Sequence, residues 1–197
     1  MNAPRGFTLI EAAATLALLG VALALVLPDF TESRRTGDFV RLARQVAADA
    51  LRCRMEALSS CRSVGLLFAE VKEQPYYIMV ADGDGDGVSR ADFVRGIDRA
   101  LGPKVWVEFM RGGTRLGTPP GWSVPDPDGN GTLDDRGLHI GNSNIVSFAV
   151  TGGATPSSVY FNDGHDRVLA VRVHGGLGRV RSLLWRRGWV EWHEIKL

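Results

Sequence analysis

Two acidic runs carry the residue types and spacing that could hold a hard cation. Asp82, Asp84 and Asp86 alternate with glycines and are followed by Asp92. That places oxygens at loop positions 1, 3 and 5 and a glycine, Gly87, at position 6, as in a calcium-binding loop. Phe93 stands at the twelfth position, where a helix–loop–helix calcium site has a bidentate glutamate. Asp126, Asp128 and Asn130, then Gly131 and Asp134, repeat the spacing. Calcium is the candidate cofactor of both runs. The competing reading is a solvent-facing turn, since Asp and Asn side chains bond nearby backbone without any metal.

A second chemistry is offered near the C-terminus by Gly178-Arg179-Val180-Arg181. On a strand, Arg179 and Arg181 project from the same face and could straddle phosphates. Trp185, Trp189 and Trp192 follow, and aromatics interleaved with arginines can stack single-stranded bases. The alternative is an edge strand solvated by arginines, with the tryptophans in the core. Cys53 and Cys61 are the only cysteines. Along an unbroken helix they would lie about 12 Å apart, out of disulfide reach. A bridge requires the helix to end near Ser59-Ser60; the alternative is two buried free thiols.

Composition narrows the field. The chain has 197 residues, 45% of them hydrophobic and 23% charged, an ordinary globular balance. A formal charge of +1 excludes steering to nucleic acid by net charge, though not by a local patch. There is no phosphate loop, no His-x-x-x-His pair and no Gly-x-Ser-x-Gly elbow, so the expectation is a protein without catalytic activity.

The elements that must position these residues fall into two textures. Phe39, Leu42, Ala43, Val46, Ala50, Cys53 and Ala57 recur at helical spacing, with Arg41, Arg44, Asp49, Arg52 and Glu56 on the other face. This predicts an amphipathic helix packed on a soluble domain. From Ser63 onward, short β-type runs alternate with turn residues. Strands are expected at 63–70, 76–81, 106–109, 145–150, 158–161, 168–174, 179–185 and 189–195. Hairpin turns are expected at Asn162-Asp163-Gly164, Gly175-Gly176 and Arg187-Gly188. Helix first and antiparallel sheet afterwards indicates an α+β fold.

Before the amphipathic helix, residues 7–27 are apolar apart from Glu11. As a helix they rise about 30 Å, the thickness of a bilayer's hydrocarbon core. Arg5 in the short preceding flank favours a cytoplasmic N-terminus. Pro28 is expected to end or kink the helix. A carboxylate in such a span is costly and implies a partner.

Arg5-Gly6-Phe7-Thr8-Leu9-Ile10-Glu11 resembles the cleavage and methylation motif of type IV pilins and their pseudopilin relatives. The resemblance implies that prepilin peptidase cuts between Gly6 and Phe7 and methylates Phe7. Glu11 then becomes the fifth mature residue and Pro28 the twenty-second, as in that family. It implies assembly with other pilins or pseudopilins through the N-terminal helix. Glu11 would neutralise the freed amine of a neighbouring Phe7, an interaction that rewards correct register in a low-dielectric bundle.

The C-terminal stretch, with Ser158-Val-Tyr-Phe-Asn-Asp-Gly before it, resembles the GspH/FimT group of minor pseudopilins. The implied protein is a single-pass inner-membrane subunit with its head in the periplasm. It serves the pseudopilus of a type II secretion system or, alternatively, is a minor type IV pilin contacting DNA through Arg179 and Arg181. The expected organisation is a leader at 1–6, a membrane and assembly helix at 7–28, an amphipathic continuation at 29–62 and a β-rich head at 63–197, with an antiparallel sheet or sandwich packed on the helical spine.

Overall fold

The structure is a computed structural model that describes residues 8–72, 74–107, 114–134, 137–140 and 143–196, with the backbone alone for 25–35. The chain divides into two units, residues 1–37 and residues 38–197. Helix α1, Leu9–Ser60, contributes to both.

In the first unit, every side chain described from Thr8 to Leu23 is exposed, including Leu9, Ile10, Leu16, Leu18, Leu19, Val21 and Leu23. Apart from Glu11, Thr8 and Thr15 these residues are apolar on every face of the helix, so no polar stripe alternates with an apolar one. Among the described residues, no helix is long and apolar enough to cross a membrane. The span expected at 7–28 extends outside the described residues at Phe7 and at the side chains of 25–28. Pro28 does not end the helix, which runs on to Ser60. Proline deletes one backbone donor and crowds one carbonyl, and the turns on either side retain their own bonds.

The second unit is built around the rest of α1. All seven apolar residues expected to face inward are buried: Phe39, Leu42, Ala43, Val46, Ala50, Cys53 and Ala57, with Ala47 beside them. Arg41, Arg44, Arg52 and Glu56 are exposed. Strands β1 (Val64–Val71) and β2 (Gln74–Ala81) form an antiparallel hairpin. They are followed by α2 (Arg90–Arg95) and by the short strands β3 (Arg99–Ala100), β4 (Val105–Trp106), β5 (Arg115–Leu116) and β6 (Leu138–His139). The longer β7 (Ile145–Phe148), β8 (Ser157–Asn162), β9 (Arg167–His174) and β10 (Arg179–Arg186) come next, then β11 (His193–Ile195).

Two antiparallel sheets result. One runs β3-β2-β1-β7 with β4 also on β2; the other runs β11-β10-β9-β8-β5 with β6 also on β8. Helix residues meet Val64, Leu66 and Phe68 of the first sheet and Val159, Phe161, Leu169 and Val171 of the second in one core. The alternate residues of each strand point the other way. On the first sheet Leu67, Ile78 and Val80 make a second cluster under Val88 and Phe93. On the second, Tyr160, Val168, Ala170 and Trp185 are covered by Val124 and Leu133 from the 114–134 segment.

Several strand limits differ from expectation for local reasons. The segment from Trp189 pairs only at His193–Ile195, because Trp185 Nε1 donates to the Trp189 carbonyl at 2.9 Å and Trp192 Nε1 donates to the Pro125 carbonyl at 2.8 Å. These bonds hold the segment over the sheet face. β7 stops at Phe148, where Gly152 N–H donates to the Ala149 carbonyl and closes a turn. The strand expected at 106–109 is Val105–Trp106; residues 108 and 109 lie outside the described ones.

Candidate functional site

At the N-terminus Thr8 precedes the first helical residue. Its Oγ1 accepts from Glu11 N–H at 3.3 Å, while Glu11 Oε2 accepts from Thr8 N–H at 3.0 Å and from the Thr8 hydroxyl at 2.9 Å. This reciprocal pairing is a capping box, with threonine at the N-cap and glutamate three residues later. Within one chain, then, Glu11 caps its own helix. Thr8 is a residue that sequence reasoning missed, although the Thr-x-x-Glu spacing signals it. Gly6 and Phe7 lie outside the described residues.

The first acidic loop is folded around two buried carboxylates. Asp82 is 4% exposed and Asp98 is 2% exposed. Asp82 Oδ1 accepts from the N–H groups of Asp84 (3.2 Å) and Gly85 (2.7 Å), and its Oδ2 from Gly87 (3.0 Å). Asp98 accepts from Gly83 N–H at 3.0 Å and Ser89 N–H at 2.8 Å. The chain passes so close here that a β-carbon on Gly83 would fall 2.0 Å from the Ile97 carbonyl oxygen. The carboxylates of Asp82, Asp84 and Asp86 each bring an oxygen within 4.8 Å of the others.

Asp92 does not join them. It bonds the Ser89 hydroxyl at 2.5 Å, its N–H donates to Ser89 Oγ at 3.0 Å, and Arg95 lies 3.6 Å away. Asp84 beside Asp86 pushes the Asp86 carboxyl above the usual range, first by hydrogen bonding and then by like charge. The backbone N–H groups thus hold the loop in shape, and a divalent ion would have three carboxylates, two of them exposed, to neutralise. Asp98, lying far along the chain, carries no sequence signal of this role.

The second acidic run is committed elsewhere. Asp126 Oδ1 accepts from Asp128 N–H at 2.9 Å in an Asx turn, and Arg172 grips both Asp128 oxygens, at 2.8 and 2.5 Å. Asp134 pairs with His139 at 2.9 Å. Asn130 is exposed. The four residues expected to share a cation therefore do not converge.

Arg172 lies on the open part of the second sheet, where a depression of about 570 Å³ is lined by Asp126, Asp128, Arg172, His174, Arg179 and Arg181 among others. Arg179 and Arg181 are both exposed on β10, as period-two spacing requires, while Val180 between them is buried. Arg181, however, is held by a fork of bonds to Glu194 on β11, Nε to Oε1 at 3.0 Å and a terminal nitrogen to Oε2 at 2.7 Å. That pairing lowers the Glu194 pKa and raises that of Arg181.

Of the tryptophans expected to stack bases, Trp189 is exposed, with the His193 ring against it, while Trp185 and Trp192 are engaged. Trp185 is buried, and Trp122, Tyr160 and Trp192 pack around it. Gly178, φ +58°, makes the turn before Arg179, and a β-carbon there would fall 2.7 Å from the Gly152 carbonyl oxygen.

Both thiols are free. The helix does end at Ser60, yet Cys53 points into the core while Cys61 is exposed in the turn beyond, so the bridge is not made. Burial, and then the charge of Asp49, pushes the Cys53 thiol up to about 12.

Residues 1–27 match a family described as the prokaryotic N-terminal methylation motif. No characterised protein and no solved structure is detectably similar to the chain.

Proposed function

From a prepilin-type N-terminal motif, which supports a type IV pilin-like protein processed by prepilin peptidase and assembled with other pilins, we propose that this chain is a minor pseudopilin of the GspH/FimT group. It serves as a structural subunit of a type II secretion pseudopilus. The carrying observation is the methylation motif over residues 1–27. The exposed aliphatic surface of Leu9–Leu23 supports it, because an apolar helix without a partner needs lipid or other helices to cover it. In this reading the protein is anchored in the inner membrane before assembly, its head lies in the periplasm, and it performs no catalysis. Mass spectrometry of the protein from a host with prepilin peptidase is expected to show a chain starting at a methylated Phe7. A chain starting at Met1 or beyond Pro28 overturns the reading.

A second reading, a minor pilin contacting DNA through Arg179 and Arg181, is favoured by their exposure beside the depression. It must displace Glu194 from Arg181. A gel shift at low salt that weakens steeply with added salt and is lost in Arg179→Ala supports it; no shift at low salt removes it.

A further inference from the structure

The second acidic run carries a different chemistry at its tip. Asp128, Gly129, Asn130, Gly131 and Thr132 are exposed one after another. They cap a narrow loop closed by three backbone bonds. Leu133 N–H donates to the Val124 carbonyl at 2.8 Å, Asp126 N–H to the Gly131 carbonyl at 2.8 Å and Gly129 N–H to the Asp126 carbonyl at 2.9 Å. The Asn130 side chain and the Gly131 N–H have no hydrogen-bond partner among the described residues. Gly129 (φ +77°) and Gly131 (φ +94°) hold backbone conformations that favour glycine, and a β-carbon on either would meet nothing within 4 Å.

An asparagine followed by glycine can react with its own main chain, because no side chain shields the glycine nitrogen from the amide carbon. We propose that Asn130 is a site of spontaneous deamidation, which adds a carboxylate two residues from the Asp128–Arg172 pair. The Gly131 nitrogen gives its proton to solvent base and attacks Cγ of Asn130. The new N–Cγ bond closes a five-membered imide, the Cγ–Nδ2 bond breaks, and Nδ2 leaves as ammonia with a proton drawn from solvent. Water then opens either bond of the imide nitrogen. Cleavage at Cγ leaves aspartate on the original main chain. Cleavage at the Asn130 carbonyl carbon leaves isoaspartate, with the main chain rerouted through Cγ. Nothing is oxidised or reduced.

Asn144 and Asn162 lack this combination. Asn162 is 3% exposed, its Nδ2 donates to the Gly117 carbonyl at 2.8 Å, and its Oδ1 accepts from Gly164 N–H at 3.1 Å. Asn144 precedes the buried Ile145, whose branched side chain crowds the nitrogen that would attack. The inference rests on the loop alone and is independent of the filament reading.

The test incubates the full chain in detergent at mildly alkaline pH beside a blocked synthetic peptide, Asp-Gly-Asn-Gly-Thr, and follows both by mass spectrometry after proteolysis. Asn130 is expected to become acid at a rate close to that of the free peptide, faster at higher pH, while Asn144 and Asn162 keep their amides. The fragment spanning residue 130 is expected to contain isoaspartate as well as aspartate, as an imide requires. Asn130→Gln, whose longer side chain must close a larger ring, is expected to keep its amide over the same period. An Asn130 still intact when the free peptide is fully converted overturns the proposal. So does equal loss at Asn144, Asn162 or the introduced glutamine, or a product without isoaspartate.

Discussion

Asp82 accepts three backbone N–H groups from a position only 4% exposed, so deleting its carboxylate strands three donors. Asp82→Ala is expected to lower unfolding free energy by about 3 kcal/mol, read by urea denaturation. A loss below about 1 kcal/mol would mean that water satisfies the loop. The Asp128–Arg172 pair sets a pH dependence instead. Arg172 holds the Asp128 carboxyl below its ordinary value, so the pair stabilises the fold above the unfolded carboxylate pKa. That contribution is lost as pH falls through the lower folded value. Asp128→Asn should therefore flatten the acid limb of a stability–pH profile and leave its alkaline side unchanged in shape. At this scale the sequence pointed to Asp82 as an acid with a task but could not show its partners. Asp98 and Glu194 come from distant segments, and only the closed loop and the paired strands bring them to Gly83 and Arg181.

The spacing of Phe39 to Ala57 disclosed which face of α1 is buried, because helical period and burial coincide there. Three of the four two-residue strands, β3, β5 and β6, had no such signature; a pair of residues has no period. Of the two effects expected of Pro28, an end to the helix does not occur, because the turns on either side carry the helix through. At the β9–β10 turn a single methyl meets two obstacles at once. Gly178→Ala meets both a positive φ and the Gly152 carbonyl, and is expected to cost about 2 kcal/mol, measured as a shift in the urea midpoint. The loop 82–92 is expected to answer to calcium and the run 126–134, whose carboxylates are paired elsewhere, is expected not to. Calcium relieves the Asp84–Asp86 repulsion, so it is expected to raise Tm in the full chain and to lose that effect in Asp86→Asn. An unchanged melt with and without chelator dismisses the first loop as a metal site.

For the whole molecule, the order of helix and strands was legible as an α+β arrangement, but the division into two sheets was not. Strand pairing across long loops, as between β1 and β7, leaves no trace in local pattern. The N-terminal unit poses the question of what Glu11 does in an assembly, given that it caps its own helix. Glu11→Gln keeps an N3 capping side chain and removes the charge. If register depends on charge, Glu11→Gln and Glu11→Ala should both fail to enter filaments, scored by immunoblot of sheared fractions. Normal incorporation of Glu11→Gln assigns the residue to capping alone.

The unlike placement of the two cysteines gives the protein a built-in gauge of its own integrity. Cys61 lies open to solvent while Cys53 is sealed in the core with its thiolate suppressed. A folded chain should take up a single equivalent of maleimide promptly, and the second only as rapidly as α1 lifts off the sheets. Counting labels over time therefore reads the opening of the helix–sheet core directly, without a denaturant and without an introduced probe.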